Sequence, residues 1–243
     1  MDFQQILEEC GAYYQTVFDS RGKPLTPLVQ YTATYKGRFG RLANKVGMEF
    51  VNFSRVEEKP RALRAFAVEA VNQIADLVES GMVLMAAPYG GIALANVMAQ
   101  ILLDQGIEVD ARYLEKTAVY ADGRIGGDAR EMIQRRHRIM QGERVVIVDD
   151  VSNAGWSVGK AAIPITTNGG IVVGVVCGVK RNTMTTITIG SREVPVRCAH
   201  EKYAPYYEQE DPAVADFLLG DLLEHNPKDH WDRLMMLSAK YRL

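Results

Sequence analysis

Cysteine is scarce in this chain: Cys10, Cys177 and Cys198 are the only three in 243 residues. An odd number so widely spaced builds neither a disulfide framework nor a metal-knuckle spacing, which suits a reducing compartment. Cys177 lies inside an apolar run, where buried packing is its default role. Histidine is nearly as thin. His137, His200, His225 and His230 share no metal-ligand spacing on one readable element. No Ser-His-Asp or Cys-His arrangement can be assembled from the sequence. An excess of one charge is missing too: 28 Lys plus Arg stand against 30 Asp plus Glu, a net charge of -2. That balance offers no electrostatic footprint for nucleic acid or an anionic membrane. The basic cluster Gln134-Arg135-Arg136-His137-Arg138 is short and reads as a solvated helix face or loop. Charged residues make up 24% with no long block of either sign, which argues against a disordered chain. No run approaches the ~18 apolar residues of a membrane-spanning helix. Met1-Asp2-Phe3-Gln4-Gln5 lacks a signal-peptide pattern, so a cytoplasmic location is expected. Internal repeats, low-complexity tracts and a Gly-x-Gly-x-x-Gly turn are all absent.

What is present is apolar periodicity, in a chain that is 47% apolar and long enough to bury a substantial core. Residues 1–18 are expected to form a helix, with Phe3, Ile6, Leu7 and Cys10 on one face. The stretch 19–58 mixes short alternating runs, Val29–Tyr35 and Met48–Phe53, and reads as a strand-and-loop cap. From Pro60 the three-and-four spacing of Leu63, Phe66, Ala67, Ala70, Val71, Ile74, Leu77 and Val78 marks a helix. Met82–Ala87 is a short apolar run stopped by Pro88-Tyr89-Gly90-Gly91; Ile92–Leu103 is a second helix and Glu108–Leu114 a strand. Arg144–Val148 is a continuous Val/Ile run, followed by a polar turn, a helix over Ser157–Thr167, and the Val-rich run Ile171–Val179. Strands apolar at every position are buried on both faces, as in a parallel sheet covered by helices. The fold class expected is therefore α/β, a doubly wound, mainly parallel sheet flanked by helices. The division expected is an N-terminal helix and cap over 1–58, a core over 59–199, and a C-terminal tail over 200–243, helical in two pieces broken near Asn226-Pro227.

In open α/β sheets ligands sit beyond the carboxyl ends of the strands. The strand Val145–Val148 runs into Asp149-Asp150-Val151-Ser152-Asn153-Ala154-Gly155-Trp156-Ser157. Ala154 and Gly155 let backbone approach a ligand closely. Successive N–H groups leading into a helix N-terminus make an anion cradle, to which Ser152, Asn153 and Ser157 add donors. Two carboxylates at the strand end can accept hydrogen bonds from sugar hydroxyls, directly or through metal-bound water. The alternative is that Asp149 or Asp150 merely caps the next helix. Phospho-acceptor and aspartyl-phosphatase readings are disfavoured, because a glycine-containing cradle directly follows the acids.

VVIVDDVSNAGWS, Val145–Ser157, resembles the 5-phosphoribosyl-1-pyrophosphate (PRPP) motif of the type I phosphoribosyltransferases, with the nearest likeness to their orotate-using members. Met82–Ala95 resembles the family's strand and pyrophosphate-side turn, with Tyr89 at the motif tyrosine and Gly90 after it. Tyr113–Gly127 resembles the strand end and mobile catalytic loop, with Lys116 at a basic position. Val179-Lys180-Arg181 matches the strand end whose arginine meets the orotate carboxylate, and Glu49–Phe53, with Phe50, the base-stacking segment. The likeness covers about residues 48–182. It implies transfer of ribose 5-phosphate from PRPP to a nucleobase, orotate first, with release of pyrophosphate. Asp149 and Asp150 would hold the ribose hydroxyls, Val151–Ser157 the 5-phosphate, and Tyr89 and Gly90 the pyrophosphate side. Lys116 would act on the leaving group from a lid over Lys116–Gly127. Mg2+ would be held mainly by substrate, with Asp149 and Asp150 as its protein contacts and no all-protein metal cage. A homodimer is implied, since the family's lid reaches a neighbouring subunit.

The departures lie among the cations. Gly90 stands where a Lys is usual, Val119 and Ala121 or Asp122 replace a Lys and a His, and Glu115 replaces an Arg. Trp156 and Asn153 replace small residues of the phosphate loop, while Arg124 or Lys116 could compensate for lost charge. Another base, or a non-catalytic protein sensing PRPP or a nucleotide, stays open on these residues. By position alone Lys116 could be a solvated loop lysine, Tyr89 a half-buried aromatic, and Arg181 the partner of a structural carboxylate.

Overall fold

The computed structural model describes residues 2–37, 42–117, 131–218 and 222–242. In chain order these form α1 (Phe3–Glu9), β1 (Tyr13–Gln15), β2 (Leu28–Lys36), β3 (Leu42–Gly47), β4 (Glu49–Val51), α2 (Ser54–Glu57) and α3 (Pro60–Gln73). Next come β5 (Val83–Ala86), α4 (Gly91–Asp104), β6 (Asp110–Tyr113), β7 (Glu115–Lys116), β8 (Met132–Ile133), β9 (Arg144–Ser152) and α5 (Trp156–Thr167). The remainder are β10 (Ile171–Lys180), β11 (Thr186–Ile189), β12 (Arg192–Glu201), β13 (Tyr206–Tyr207), α6 (Ala215–Leu218), β14 (Leu223–Glu224) and α7 (Trp231–Tyr241). Most of the expected lid, from position 118 onward and including Val119, Ala121, Asp122 and Arg124, lies outside the described residues. The chain divides into two compact units, Met1–Arg55 with Ala204–Leu243, and Val56–Tyr203.

In the first unit the N-terminal helix is shorter than its periodicity suggests. Asp2 caps it, its Oδ1 accepting the N–H groups of Gln4 at 2.9 Å and Gln5 at 3.2 Å. Gly11, at φ +64, then ends it in the left-handed region. Tyr13–Gln15 are spent instead on an antiparallel pairing with β4. A four-stranded sheet runs in the order β13-β3-β2-β14. Tyr14, Val29, Tyr31, Trp231 and Leu234 form one buried cluster, into which the Trp231 indole N–H also donates to the Gly11 carbonyl at 2.8 Å. The two helical pieces of the tail are α6 and α7, on either side of Asn226-Pro227, with short strands beside them.

The second unit carries a six-stranded sheet among the described residues, in the order β11-β12-β10-β9-β5-β6. All neighbouring pairs are parallel except the hairpin β11–β12, so the sheet is the mainly parallel, helix-flanked kind expected. Val145–Val148 are fully buried. Val145 and Ile147 pack with Val158, Ala161 and Ile165 of α5, whereas a side chain at Gly174 would meet Leu77 and Val146, the residues of the opposite face. The alternation of the strand thus satisfies a helix layer on each side. Burying a Val or Ile side chain contributes ~1.5–3 kcal/mol, so this central strand is among the hardest parts of the unit to displace. The apolar run stops at Val148, but β9 does not. Its ladder with β10 continues through Val151↔Val179 to Ser152↔Lys180, which carries both acids on a strand rather than in a turn.

Candidate active site

β9 is laddered to β5 as far as Val148 and to β10 as far as Ser152, so at its carboxyl end β10 holds the stretch that carries the two acids. They are not equivalent. Asp149 is buried, its Oδ1 accepting the Asp150 N–H at 3.0 Å, and it stands opposite Cys177 in the ladder. Burial pushes the Cys177 thiol well above its usual range, with Cys198 and Asp149 adding to the effect. Asp150 is half-buried on the opposite face of the strand, its Oδ1 accepting the Val151 N–H at 2.8 Å.

The turn after them is held from the end of β10. Arg181 N–H donates to the Ser152 carbonyl at 2.9 Å. Asn182 Nδ2 donates to the carbonyls of Asn153 at 2.7 Å and Ser152 at 3.3 Å, while its Oδ1 accepts Met184 N–H at 2.8 Å. Arg181 is 3% exposed, and its Nη1 donates to Asn153 Oδ1 at 3.3 Å. Gly155 adopts φ +73, a conformation other residues resist, and opens α5 there. A helix N-terminus leaves its first N–H groups without intrahelical acceptors, so Gly155–Ser157 present a positive dipole end directly after the acids. Ser152 Oγ is buried with no hydrogen-bond partner among the described residues. Trp156 does not close the turn: the residue is 66% exposed.

A second turn approaches from β5. Ala87 N–H donates to the Val148 carbonyl at 2.8 Å, the Pro88–Tyr89 peptide is cis, and Gly90 precedes α4. Two glycines are required by closeness rather than by dihedral angle. A side chain on Gly91 would overlap the Val148 carbonyl oxygen and lie 3.1 Å from its carbon. One on Gly90 would overlap Asp150 Oδ2 and Cγ and lie 2.7 Å from its Cβ. Tyr89 is exposed, and Lys116 Nζ stands 5.9 Å from its ring centre. Beside Lys116, Glu115 is faced by Arg136 at 3.2 Å and Arg135 at 3.7 Å, so those two cations of the basic cluster are partly neutralised.

The structure therefore gathers Asp149, Asp150, Val151–Ser157 and Arg181 around one strand end, and places Gly90 against Asp150 with Tyr89 and Lys116 beside it. Phe50 belongs to the first unit, where its ring stacks on Tyr31 at 6.0 Å and 12° and tilts against Trp231 at 6.0 Å and 52°. Two participants went unread in the sequence. Asn182 could have been flagged by the habit of Asn of bonding nearby backbone after a strand, and Gly91 by its place in a Gly-Gly pair at a strand–helix junction. A cavity of about 670 Å³ lies between β8 and α5, lined by Met132, Ile133, Arg138, Lys160, Ile163 and Pro164; none of the expected site residues lines it. Among the described residues no group of three or more His, Cys, Asp or Glu could hold a metal ion, and no helix is long and apolar enough to cross a membrane.

The chain is 30% identical over 112 residues to an orotate phosphoribosyltransferase of Bradyrhizobium diazoefficiens, covering 46% of this chain and 58% of that one. It is 32% identical over 136 residues to one from Stenotrophomonas maltophilia, covering 56% and 55%. It thus spans little more than half the length of these curated relatives. Among solved structures, Mycobacterium tuberculosis orotate phosphoribosyltransferase superposes at a TM-score of 0.49 with 22% identity, over 83% of this chain and 97% of that one. Trypanosoma brucei adenine phosphoribosyl transferase does so at 0.49 with 13% identity, over 82% and 79%. The family model described as "Phosphoribosyl transferase domain" matches residues 52–186, more than half of the chain and the whole of the acid-bearing strand and its turn, and the chain belongs to that family.

Proposed function

We propose that this chain is a phosphoribosyltransferase that moves ribose 5-phosphate from PRPP to a ring nitrogen of orotate and releases pyrophosphate. The observation that carries the proposal is the end of β9: two carboxylates on a buried parallel strand, followed within a few residues by a left-handed Gly155 that opens a helix. Orotate is favoured over other bases by the curated relatives at about 30% identity.

As the bond to the anomeric carbon stretches, positive charge develops on the ribose ring. Asp149 and Asp150 hold the ribose hydroxyls and stabilise that charge from fixed positions, since each already has one oxygen anchored by a backbone N–H. The backbone of Ser152–Ser157 and the α5 dipole hold the 5-phosphate, which supplies positioning rather than bond chemistry. The turn Tyr89–Gly91, with Lys116 over the Tyr89 ring, receives the pyrophosphate. Arg181 steadies Asn153 from the base side and is assigned to the base carboxylate. Phe50 is assigned to the base by resemblance.

Mg2+ suits this donor set: it keeps several waters and binds through one or two carboxylates plus substrate phosphates, and half-buried Asp150 with Asp149 provides those carboxylates. When bound it would neutralise charge on the departing pyrophosphate. A lid over Lys116–Gly127, a homodimer and a cytoplasmic location complete the proposal.

Pyrophosphate release is to be followed with PRPP, Mg2+ and a panel of bases. Turnover with orotate alone is the expected result. Turnover only with another base changes the specificity assigned, and PRPP binding without turnover on any base removes the catalytic reading. Asp150→Asn should lower turnover by orders of magnitude with the fold intact; an unchanged rate would remove the ribose-binding assignment.

A further inference from the structure

The cavity of about 670 Å³ between β8 and α5 takes no part in the site at the end of β9, yet it has the size of a small-molecule site, ~300–1,000 Å³. Polar groups in its wall are already spent on one another. Gln134 Oε1 accepts the Ile139 N–H at 2.7 Å, and its Nε2 donates to the Pro164 carbonyl at 3.0 Å. Asn168 Nδ2 donates to that same carbonyl at 2.7 Å. The Gln134 bonds clamp the segment after β8 to α5, while Met132, Ile133, Ile163 and Pro164 give the space an apolar lining. Its charges are out of balance. Nearby cations have partners: Arg112 pairs with Asp110 and Glu143, and Arg135 and Arg136 face Glu115. Lys160 and Arg138 line the cavity, and among the described residues neither side chain forms an ion pair. Glu131 lines it too, which leaves two cations against one carboxylate. Apolar walls with a surplus positive charge suit an anion with an apolar body. Two of the walls lead back to the other site. Met132 and Ile133 form β8, laddered at Lys116↔Met132 and Glu115↔Ile133 to the strand whose Lys116 faces the Tyr89 ring. Lys160, Ile163 and Pro164 lie on α5, which begins directly after Gly155 at the phosphate turn.

We propose that this cavity is a second ligand site, for a small monoanion with a flat apolar body, and that its occupancy is coupled to sugar-phosphate binding through β8–β7 and α5. Lys160 and Arg138 take the anionic group, while Met132, Ile133, Ile163 and Pro164 cover the body. A body wedged between β8 and α5 sets their spacing, and both elements lead to groups of the other site. The coupling rests on the phosphoribosyltransferase reading; the site itself does not. By linkage, a ligand here that changes ribose 5-phosphate affinity has its own affinity changed by the same factor.

The probe is 8-anilinonaphthalene-1-sulfonate, an apolar monoanion, followed by its fluorescence on the native protein. N-phenyl-1-naphthylamine, the same body without the sulfonate, is the neutral control. Lys160→Gln/Arg138→Gln should weaken the sulfonate about 10- to 100-fold, the worth of lost charge-assisted bonds. The neutral probe should change by less than about twofold in that variant. Ile163→Glu, at a residue 63% exposed, leaves the core alone and should weaken both probes. Unchanged sulfonate affinity in the Lys160→Gln/Arg138→Gln protein, or an equal loss of both probes there, overturns the site. Sedimentation of the wild type and Ile163→Glu should give the same assembly state. A dimer that falls apart with Ile163→Glu overturns the proposal, because a second copy then covers the cavity. Saturating sulfonate should change ribose 5-phosphate affinity at least about fivefold and then reach a plateau, with no such change in the Lys160→Gln/Arg138→Gln protein. No change in the wild type, or a loss that grows without limit as direct competition would give, overturns the coupling. A wild type that binds the sulfonate but no ribose 5-phosphate rejects the phosphoribosyltransferase reading and the coupling with it, while the two-probe comparison still decides the site.

Discussion

Asn182 is a tether with both ends in use, and removing one end at a time gives a test of how the phosphate turn is held. Its Nδ2 reaches the carbonyls of Asn153 and Ser152, and its Oδ1 takes the Met184 N–H. Two of the three bonds, at 2.7 and 2.8 Å, have good length, and the third, at 3.3 Å, is long. At ~0.5–1.5 kcal/mol net for each good bond, Asn182→Ala should loosen the turn by about 1–3 kcal/mol. The effect is local, so it belongs first in ligand affinity: at ~1.4 kcal/mol per tenfold, ribose 5-phosphate binding should weaken about 5- to 150-fold. The part that reaches global unfolding should lower Tm by roughly 2–4 °C per kcal/mol in a protein of this size.

Asn182→Asp separates the tether from simple packing. It keeps the acceptor for Met184 but turns a donor toward two carbonyl oxygens into a carboxylate, which those oxygens repel. It also sets a negative charge beside the proposed anion site. Asp should therefore bind ribose 5-phosphate more weakly than Ala, despite retaining one hydrogen bond that Ala lacks. Calorimetric titration of the three proteins, with thermal unfolding of each, decides it. If the Asp variant binds as well as the wild type, or better than the Ala variant, then Asn182 does not hold this turn and the electrostatic reading of the site fails.

Gly91→Ala sits in the first turn of a helix, where Ala normally adds ~0.5–1 kcal/mol, but here its methyl would overlap the Val148 carbonyl; a loss of about 1–3 kcal/mol or more in urea unfolding is expected, and a gain would contradict the packing described. Glu143 gives a pH dependence. Burial pushes its carboxyl up, but the Arg112 guanidinium, bonded to both its oxygens at 2.9 and 3.0 Å, and the Met140 N–H outweigh this and hold it below 4.5. A depressed folded-state value means that the stabilisation is whole above about pH 4.5 and is lost as the pH falls through the lower folded value. Glu143→Gln should flatten that acid limb in unfolding curves, and an unchanged limb would exclude the pair as its source. Thiol reactivity follows burial: Cys177 is shut in the sheet and burial pushes Cys198 up to about 11, so alkylation at neutral pH should mark Cys10 first, as read by mass spectrometry. Cys198 reacting as fast as Cys10 in the native protein would show that β12 opens.

The parts of this site that could be read in the sequence are those whose physics is local, and the rest depends on which backbones meet. The continuous Val145–Val148 run, the two acids and Gly155 each have a reason within a few residues, so strand, carboxylates and helix start were all legible. The polar residues after Val148 look like the beginning of a turn, because nothing local tells Asp149–Ser152 that β10 runs alongside as far as Lys180. That extra stretch of ladder is what turns two acids on a loop into two acids on opposite faces of a rigid strand, one buried beside Cys177 and one against Gly90. The N-terminal helix failed in the same way: Phe3, Ile6, Leu7 and Cys10 have helical spacing, yet Gly11 and the distant partner β4 decide where the helix stops. The same distance in sequence hid the meaning of Gly90 and Gly91. As a sequence they are a flexible pair after Pro88-Tyr89. In the fold their missing side chains are occupied, one by the Asp150 carboxylate and one by the Val148 carbonyl, both some sixty residues downstream. Alanine at either glycine should therefore cost stability, since each added methyl would meet atoms of β9. Two alanine variants that unfold like the wild type in urea would show that the Tyr89–Gly91 turn does not rest against β9 as described.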